Sequence, residues 1–176
     1  MKRWRSYEMI GSVAGDERDM RGDCGESEEA GEANAPFWKT RRLDPMTRAE
    51  WESLCDGCGK CCLEKLEDPR SGQISYTNVA CRLLDVGTCR CTRYAERRRF
   101  VPNCEQLDPE NVQRFRWLPS TCAYRLLAEG GELPWWHPLV SGDAELVHRV
   151  GASVRGRAVT ERRAGMLEQH IVTWPA

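Results

Sequence analysis

The sequence predicts a small single domain of the α+β class, helix-rich and with long irregular loops. Three observations lead to this prediction. The chain has 176 residues, which is enough for one domain with a buried core. Helix-capping signals recur along it, whereas only two short runs show the alternation of a strand. Glycine and proline break the pattern between these elements, so the loops are expected to be long.

The first 35 residues are predicted to form a disordered acidic tail. Residues 16–32 hold eight acidic side chains but only two arginines, with several glycines and few apolar groups. A segment of this composition cannot bury enough surface to offset its conformational entropy. Cys24 lies within it, far from the other nine cysteines, and is expected to take no part in a site. The folded domain is expected to span residues 36–176.

Helices are predicted wherever a capping signal precedes apolar residues at helical spacing. Thr47 and Glu50 form a capping box, so the first helix should run over residues 48–55. The apolar spacing after Lys60 predicts a second helix that ends at Leu66. Three more are expected at 109–115, at 122–129 and from a cap at 141–143 to residue 149.

Two strands and one packed loop complete the prediction. Residues 73–77 carry β-branched and aromatic side chains in alternation, and residues 154–159 alternate in a similar way. Residues 133–139 are apolar but contain two prolines, so they are expected to cross the core as a loop.

Composition argues against several classes of function. A net charge of −1 favours neither nucleic acid nor an anionic membrane as a partner. No run approaches the roughly 18 apolar residues of a membrane span. The basic start of the chain lacks the uninterrupted apolar stretch of a secretory signal. The cytoplasm is therefore the expected compartment.

The sequence lacks the motifs of the common enzyme classes. It has no phosphate-binding loop, no dinucleotide fingerprint and no Gly-x-Ser-x-Gly elbow. His137, His148 and His170 lack the spacing of a metalloprotease site and are expected to be packed or hydrogen-bonded. Whether the protein is an enzyme is left open by these observations.

Nine of the ten cysteines lie between residues 55 and 122, and four form C-x-x-C-x-x-C-C at Cys55, Cys58, Cys61 and Cys62. Gaps of two residues let successive thiolates turn toward one point, as in short loops that surround thiophilic metals. Cytoplasmic thiols are kept reduced, so close cysteines indicate metal binding rather than disulfides. A metal held by cysteines from distant segments would also staple the long loops.

Three interpretations of this pattern stay open. C-x-x-C-x-x-C is the ligand run of bacterial ferredoxins, but the usual fourth Cys-Pro is missing, so an iron–sulfur cluster needs a distant cysteine. Alternatively, C-x-x-C supplies half of a four-thiolate zinc site, for which Cys89 and Cys91, only one residue apart, make a poorer second half than another C-x-x-C. The third interpretation, reduced core cysteines, is the least favoured at this density.

Cys61 and Cys62 are predicted to play different parts, because neighbours in a chain point in different directions. On a helix they diverge by about 100°, and on a strand they face opposite sides. One of them is therefore expected to bind a metal while the other packs or serves a second metal.

Five arginines lie between residues 90 and 99, against one glutamate. One interpretation is a nucleic-acid surface with Tyr94 and Phe100 as stacking partners. The other is charge balance, because guanidinium groups offset the net negative charge of a thiolate-bound metal. The rest of the sequence shows no matching basic surface, so charge balance is favoured and a nucleic-acid partner is not expected.

With these residues, the chain resembles a bacterial cysteine-cluster family that is named for C-x-x-C-x-x-C-C and described as chelating zinc or iron. The likeness is to an uncharacterised proteobacterial branch of that family. It covers about residues 36–175 and rests on the segments 36–68, 77–94 and 117–142. The resemblance implies metal chelation but no particular activity.

The resemblance also implies which cysteines bind the metal. After the first motif, the residues that match the family are Cys81, Gly87, Cys89, Tyr94 and Arg97. Arg98 stands where proline is usual, and Cys104 comes later than the last cysteine of the family. The candidate metal ligands are therefore Cys55, Cys58, Cys61, Cys62, Cys81, Cys89 and Cys104. The proteobacterial branch adds Cys91 and Cys122 as additional contacts.

The sequence therefore predicts a cytoplasmic metal-binding protein whose cysteines hold an iron–sulfur cluster, or a zinc or iron ion, with the cluster ahead of zinc. A redox or metal-handling role follows. The alternative is a zinc-stapled structural or interaction module without catalytic activity. A metal carrier is a third hypothesis. An unidentified protein partner fits each of them, and neither a membrane nor nucleic acid is expected as a partner.

Overall fold

The computed structural model describes residues 2–4, 35–40, 43 and 46–174. Within them, the helices are α1 (Phe37–Thr40), α2 (Arg48–Ser53), α3 (Arg97–Phe100), α4 (Ala123–Ala128), α5 (Pro138–Ser141) and α6 (Leu146–Arg149). The strands are β1 (Lys2–Trp4), β2 (Leu63–Glu67), β3 (Ile74–Ala80), β4 (Leu84–Asp85), β5 (Arg90–Cys91) and β6 (Val159–Thr160). These residues form a small mixed domain of helices and strands, as the sequence predicted. The expected richness in helix is not found among them, because each α-helix has only four or six residues.

The main sheet has four strands in the order β1-β2-β3-β6. Strand β2 is antiparallel to both β1 and β3, whereas β6 runs parallel to β3. In the central pair, Leu66 lies opposite Ser75, and the register shifts between Leu63 and Lys65. A separate ribbon pairs β4 with β5. The shift at the start of β2 comes directly after the cysteine motif.

Strand β2 occupies most of the segment predicted as a second helix, so that prediction was wrong. Only Lys60–Cys62 forms a helical turn, of the 3₁₀ type. The first four residues of β2 are all buried, and a segment buried on both faces has no strand alternation that a sequence could reveal. Pairing with both β1 and β3 supplies backbone partners for this strand.

Two helices and one strand lie where the sequence predicted them. Helix α2 begins with the capping box, since Oγ1 of Thr47 accepts from the Glu50 amide at 3.2 Å and Oε2 of Glu50 accepts from the Thr47 amide at 2.8 Å. Helix α4 lies within the predicted range and is followed by Gly130 in the left-handed conformation. Strand β3 continues the predicted strand to Ala80.

The helix predicted at 109–115 is reduced to the 3₁₀ turn Val112–Arg114. The Asp108 carboxylate accepts hydrogen bonds from the amides of Glu110 and Asn111, at 3.1 and 2.8 Å. These contacts fix a turn that competes with a regular helix. The predicted aspartate cap is thus present, but the helix behind it is not.

Two elements toward the end of the chain are shorter than predicted. The helix expected from a cap at 141–143 to residue 149 is α6, which covers only its last part. The strand expected at 154–159 is confirmed only at its end, as β6. Its first part is a turn, because the Ala158 amide donates to the Val154 carbonyl at 3.1 Å.

Buried side chains form three clusters within the described residues. The largest holds Trp51, Leu54, Val112, Trp117, Leu118, Ala123, Tyr124 and Leu133. The second holds Leu63, Ala80, Leu84, Cys89 and Val154. The third holds Cys58, Val147 and Ala152. The segment predicted as a loop across the core, 133–139, buries Leu133 and His137, as expected. From the cysteine motif, Cys58 belongs to the third cluster and Cys62 packs against the second.

The tail predicted at 1–35 lies outside the described residues, apart from residues 2–4 and residue 35. Residues 2–4 are β1, which pairs with β2 and places Arg3 opposite Leu66. The sequence did not predict this pairing. The expectation for the rest of the tail, Cys24 included, stays a prediction. Among the described helices, none combines the length and apolar character that crossing a membrane requires.

Candidate metal centre

The end of α2 positions the first cysteine of the motif. Leu54 caps this helix and is completely buried, with its amide donating to the Trp51 carbonyl at 3.1 Å. Cys55 follows directly, and its amide donates to the Glu52 carbonyl at 3.4 Å. The chain therefore leaves the helix at the point where the motif begins.

Two glycines fold the motif tightly, and both have a left-handed backbone. Gly57 has a φ of 73°, and a Cβ atom there would lie 2.9 Å from Nη2 of Arg90. Gly59 has a φ of 76°, and a Cβ atom there would lie 2.8 Å from Cγ2 of Val154. The left-handed backbone favours glycine at both positions, and at Gly59 the close approach of Val154 adds a second requirement. The Arg90 guanidinium therefore lies directly against the motif.

Backbone contacts hold Cys58 in place. Its amide donates to Oδ1 of Asp56 at 2.9 Å, which closes a turn within the motif. Its carbonyl accepts from the Val154 amide at 2.8 Å. Its side chain belongs to the apolar cluster with Val147 and Ala152. Cys58 is thus firmly anchored, but against the third cluster.

Cys61 and Cys62 lie where the 3₁₀ turn passes into β2, and their sulfur atoms are 3.9 Å apart. Two sulfurs that bind one tetrahedral zinc ion at about 2.3 Å are themselves roughly 3.8 Å apart. The divergence predicted for these neighbours applies within a regular helix or strand. At this junction it does not occur, and both thiols line the same cavity.

A buried lysine, which the sequence analysis missed, organises this turn. Lys65 is 2% exposed, and its Nζ donates to the carbonyls of Leu63, Cys61 and Lys60 at 2.7, 3.0 and 3.4 Å. The same ammonium group lies 4.8 Å from the centre of the Trp117 ring. A positive charge is thereby held inside the protein beside the two adjacent thiols. Lys65 reaches this position only because β2 pairs with its neighbouring strands, so no local feature of the sequence indicates that it is buried beside the thiols.

The end of β3 and a later turn bring two more cysteines to the motif. The Cys81 amide donates to the Cys62 carbonyl at 2.9 Å, which joins these two cysteines through the backbone. Cys104 follows a turn in which its amide donates to the Val101 carbonyl at 2.9 Å. Both segments lie far along the chain from the motif, and both cysteines line the same cavity.

The β4–β5 ribbon carries Cys89 and Cys91. The turn between the strands is fixed by the Asp85 carboxylate, which accepts from the amides of the two residues before Cys89. Cys89 has a φ of 56°, an uncommon conformation for a residue with a side chain. Burial raises the pKa of its thiol, and the charge of Arg155 and a hydrogen bond with Ser153 oppose that rise. Cys89 thus has polar partners of its own.

Seven of the nine candidate ligands line one cavity of about 250 Å³. These seven are Cys55, Cys61, Cys62, Cys81, Cys89, Cys91 and Cys104. The rest of the wall combines aromatic and aliphatic residues, such as Trp51, Trp117 and Tyr124, with charged ones that include Glu52, Glu64 and Glu105. Cys58 and Cys122 do not line it. Burial raises the pKa of both, and the nearby Cys61 thiol adds to that effect.

The pKa values of the motif thiols differ widely. Cys55 is accessible from the cavity, but desolvation there raises its pKa to about 12, and burial raises the pKa of Cys58 well above its usual value. The hydrogen bond with Cys61, together with burial, raises the pKa of Cys62. The hydrogen bond from Cys62 lowers the pKa of Cys61 to about 7, and Lys65 also favours its thiolate. Cys61 is therefore the first of the four motif thiols to ionise.

Three cations line the cavity, namely Lys65, Arg90 and Arg97. Desolvation raises the pKa of Cys55, and the charge of Arg90 opposes that rise. The pKa of Cys104 is raised in the same way, and the charge of Arg97 opposes it. These contacts are what the charge-balance interpretation of the arginine stretch expects. That interpretation did not foresee Lys65, which lies outside the stretch.

The other arginines of the 90–99 stretch have different surroundings. Arg93 and Arg99 are largely exposed and lie 3.9 and 3.6 Å from the Glu96 carboxylate. Tyr94, expected as a stacking partner for a base, donates its hydroxyl to Glu52 at 2.7 Å. Its ring lies 4.1 Å from the Arg97 guanidinium carbon. Arg90 and Arg97 thus line the cysteine cavity, whereas Arg93 and Arg99 are solvated. Charge balance of a bound metal stays a prediction.

Within the described part of the chain, no three His, Cys, Asp or Glu side chains lie close enough together to hold a metal ion. No disulfide links the nine cysteines described. The chemistry of the donor set still fits a thiophilic metal, because seven thiols and three cations share one cavity. Metal binding requires these sulfurs to draw closer than they are here. The predicted metal staple therefore stays a prediction.

The histidines have structural partners, as the sequence analysis expected. Nδ1 of the buried His137 accepts from the Leu139 amide at 3.1 Å, so its Nε2 carries the proton and donates to the Leu54 carbonyl at 3.0 Å. His148 and His170 bond to neighbouring side chains at 2.7 and 2.8 Å. His137 thereby anchors the residue directly before the motif.

Comparison with known proteins points to the same segment. Residues 54–123 match the CxxCxxCC family, which is described as "Putative zinc- or iron-chelating domain". The chain is also similar to the UPF0260 protein of Gluconacetobacter diazotrophicus, with 64% identity over 140 residues that cover 80% of this chain and 88% of the relative. No solved structure matches the chain significantly.

Two further relatives show the same extent of similarity. The UPF0260 protein of Rhizorhabdus wittichii is 65% identical over 137 residues, which cover 78% of this chain and 94% of the relative. That of Parvibaculum lavamentivorans is 58% identical over 146 residues, which cover 82% and 95%. The chain thus spans most of the length of each.

Proposed function

We propose that the cysteine cavity holds an iron–sulfur cluster with a redox role, on the basis that the chain belongs to the UPF0260 family and matches the CxxCxxCC model described as "Putative zinc- or iron-chelating domain". One observation carries the proposal, namely the seven cysteines around a single cavity of about 250 Å³. A lone metal ion takes up no more room than a water molecule, roughly 30 Å³. A group of several iron and sulfide ions suits this space better.

Contacts already present suggest which cysteines would hold the cluster. Cys61 and Cys62 have adjacent sulfurs, and the backbone of Cys62 is bonded to that of Cys81. These three are proposed as ligands. A fourth is proposed from the other walls of the cavity, which hold Cys55, Cys91 and Cys104. Cys89 is left out because Arg155 and Ser153 already engage its thiol.

The chain's own residues supply the surroundings that such a group needs. Lys65 and Arg90 place positive charge beside the thiols, which favours the thiolate form and offsets the negative charge of the ligands. Buried aromatic residues such as Trp51 and Trp117 limit contact with water. When bound, an iron–sulfur cluster supplies one-electron transfer, and charge and solvent exposure set its reduction potential.

The test of this proposal is a redox titration of anaerobically purified protein. The expected result is a brown protein whose visible absorbance decreases on reduction and returns on reoxidation. A colourless protein with one zinc per chain and no redox response would contradict the proposal.

A zinc-stapled structural or interaction module is the second candidate. The separation of 3.9 Å between the sulfurs of Cys61 and Cys62 supports it, since it is close to the edge of a four-thiolate zinc site. Removal of zinc by a chelator is then expected to unfold the domain. Far-ultraviolet circular dichroism before and after chelation provides the measurement. Loss of folded signal together with redox silence would favour this candidate over the cluster.

A further inference from the structure

A second cavity, of about 290 Å³, shares no lining residue with the cysteine cavity. It lies between the first half of β3, the loop before α4 and the C-terminal segment 171–174. Lys60, which separates Cys58 from Cys61 in the motif, also lines it. One side of the cysteine motif therefore adjoins a space that the proposed metal centre does not use.

Lys60 brings a buried positive charge to this cavity. Its residue is only 2% exposed, and its Nζ lies 3.5 Å from Oγ1 of Thr121, which is also part of the wall. A buried ammonium group is stabilised by hydrogen-bond acceptors and by negative charge. Asp56 and the Cys58 thiol act on Lys60 electrostatically, but neither lines the cavity.

Among the described residues, the remainder of the wall is rich in neutral hydrogen-bonding groups and contributes no carboxylate. It carries the hydroxyls of Ser75, Ser120, Thr121 and Thr173 and the amide of Gln73. The Tyr76 hydroxyl is directed elsewhere, because it donates to the Trp117 carbonyl at 2.6 Å. Hydroxyl and amide donors around an ammonium group are the set that recognises an oxyanion.

We propose that this cavity binds a small molecule through a carboxylate or phosphate group, with Nζ of Lys60 as the charged donor. The hydroxyls of Thr121 and Thr173 complete the hydrogen bonds to its oxygens. The volume leaves room for several further atoms of the ligand, and Trp174 supplies an aromatic wall. The inference does not depend on which metal the cysteines hold, because the two cavities are separate.

Calorimetric titration of the protein as purified, with its metal, tests the proposal. The probes are inorganic phosphate and succinate, with uncharged succinamide as the control, all at constant ionic strength. At least one anion is expected to bind saturably with one site per chain, whereas succinamide does not bind. Which of the two binds distinguishes a phosphate from a carboxylate ligand. Metal content after the titration checks that the heat does not come from chelation.

Variants assign the binding to Lys60. Lys60→Met is expected to weaken binding by about tenfold or more, because a charged hydrogen-bond donor is lost. Arg98→Gln removes an exposed positive charge outside the cavity and is expected to leave the affinity unchanged. If Lys60→Met does not fold, Thr121→Val replaces it, with a smaller expected loss. The proposal would be overturned if no anion bound saturably, or if the cavity variants bound as tightly as the wild-type protein. It would also be overturned if Arg98→Gln lost as much affinity as the cavity variants, or if the cavity variants lost their metal together with the binding.

Discussion

The Nζ atom of Lys65 donates a hydrogen bond of 3.0 Å to the carbonyl oxygen of Cys61, and both residues line the cysteine cavity. The same ammonium group bonds to two further carbonyls, one on each side of the adjacent cysteines. One buried cation therefore fixes the last turn of the motif and also places positive charge beside its thiols. Apart from the cysteines, it is the residue through which the structure most directly shapes the site.

Replacing Lys65 by methionine tests that relationship. Lys65→Met keeps an unbranched side chain but removes a donor from three carbonyl oxygens, of which only that of Lys60 is known to keep another, the Leu63 amide. We expect less metal per chain and a free energy of unfolding lower by about 2–4 kcal/mol. Metal analysis and urea unfolding provide the measurements. Lys39→Met, at an exposed position of α1, is the control. Wild-type metal content and stability in Lys65→Met would contradict this role.

Cysteine-to-serine variants test the proposed ligand set. Cys62→Ser and Cys81→Ser are expected to lose most of the bound metal, because each removes a thiolate from the proposed centre. Cys122→Ser is expected to keep it, since Cys122 does not line the cavity. Cys24→Ser, in the predicted tail, is the matched control. Metal per chain after anaerobic purification decides the matter, and equal losses in all four variants would exclude this ligand set.

A pair of glycine variants separates backbone strain from close packing. Gly59→Ala introduces a Cβ atom 2.8 Å from Val154 at a φ of 76°, whereas Gly142→Ala meets nothing within 4 Å at a φ of 72°. Gly142→Ala should lower the free energy of unfolding by about 1–2 kcal/mol, and Gly59→Ala by roughly 2–4 kcal/mol. Urea unfolding of the two proteins gives the comparison. Equal losses would mean that the motif is not packed against Val154.

Metal uptake is expected to release protons and to strengthen as pH rises. Burial raises the pKa of Cys55 to about 12, and the contact with Cys61 raises that of Cys62, so both thiols keep their protons at neutral pH. Each must lose its proton to bind a metal, and a higher pH reduces that competition. Cys61, with a pKa of about 7, contributes less.

Anaerobic calorimetry of zinc binding to the metal-free protein, in buffers of different ionisation enthalpy, measures this release. About two or more protons per metal are expected at neutral pH, with a higher affinity toward pH 8. Binding that releases no protons and does not change with pH would show that the thiols are already ionised.

Local signals explain what the sequence predicted correctly. The capping box at Thr47 and Glu50 and the alternation in β3 depend on residues a few positions apart, and both elements formed. Seven of the nine cysteines put forward as metal ligands line one cavity, while their role as ligands stays a prediction. The two-residue gaps and the glycines between them fix the motif's own turns, which is why its spacing carried so much information.

Contacts between distant segments explain what the sequence did not predict. Strand β2 was mistaken for a helix because its partners β1 and β3 lie elsewhere in the chain. For the same reason, the sequence did not indicate that Lys65 lies inside the site. The closeness of Cys61 and Cys62 depends on the junction between a 3₁₀ turn and a strand, which periodicity alone does not reveal.

Analysis of iron, zinc and acid-labile sulfide in anaerobically purified protein tests the central claim most directly. The account predicts iron and sulfide in matching amounts, with both lost in Cys62→Ser and retained in Cys24→Ser. Stoichiometric zinc without sulfide in the wild-type protein, or iron and sulfide that persist in Cys62→Ser, would contradict it.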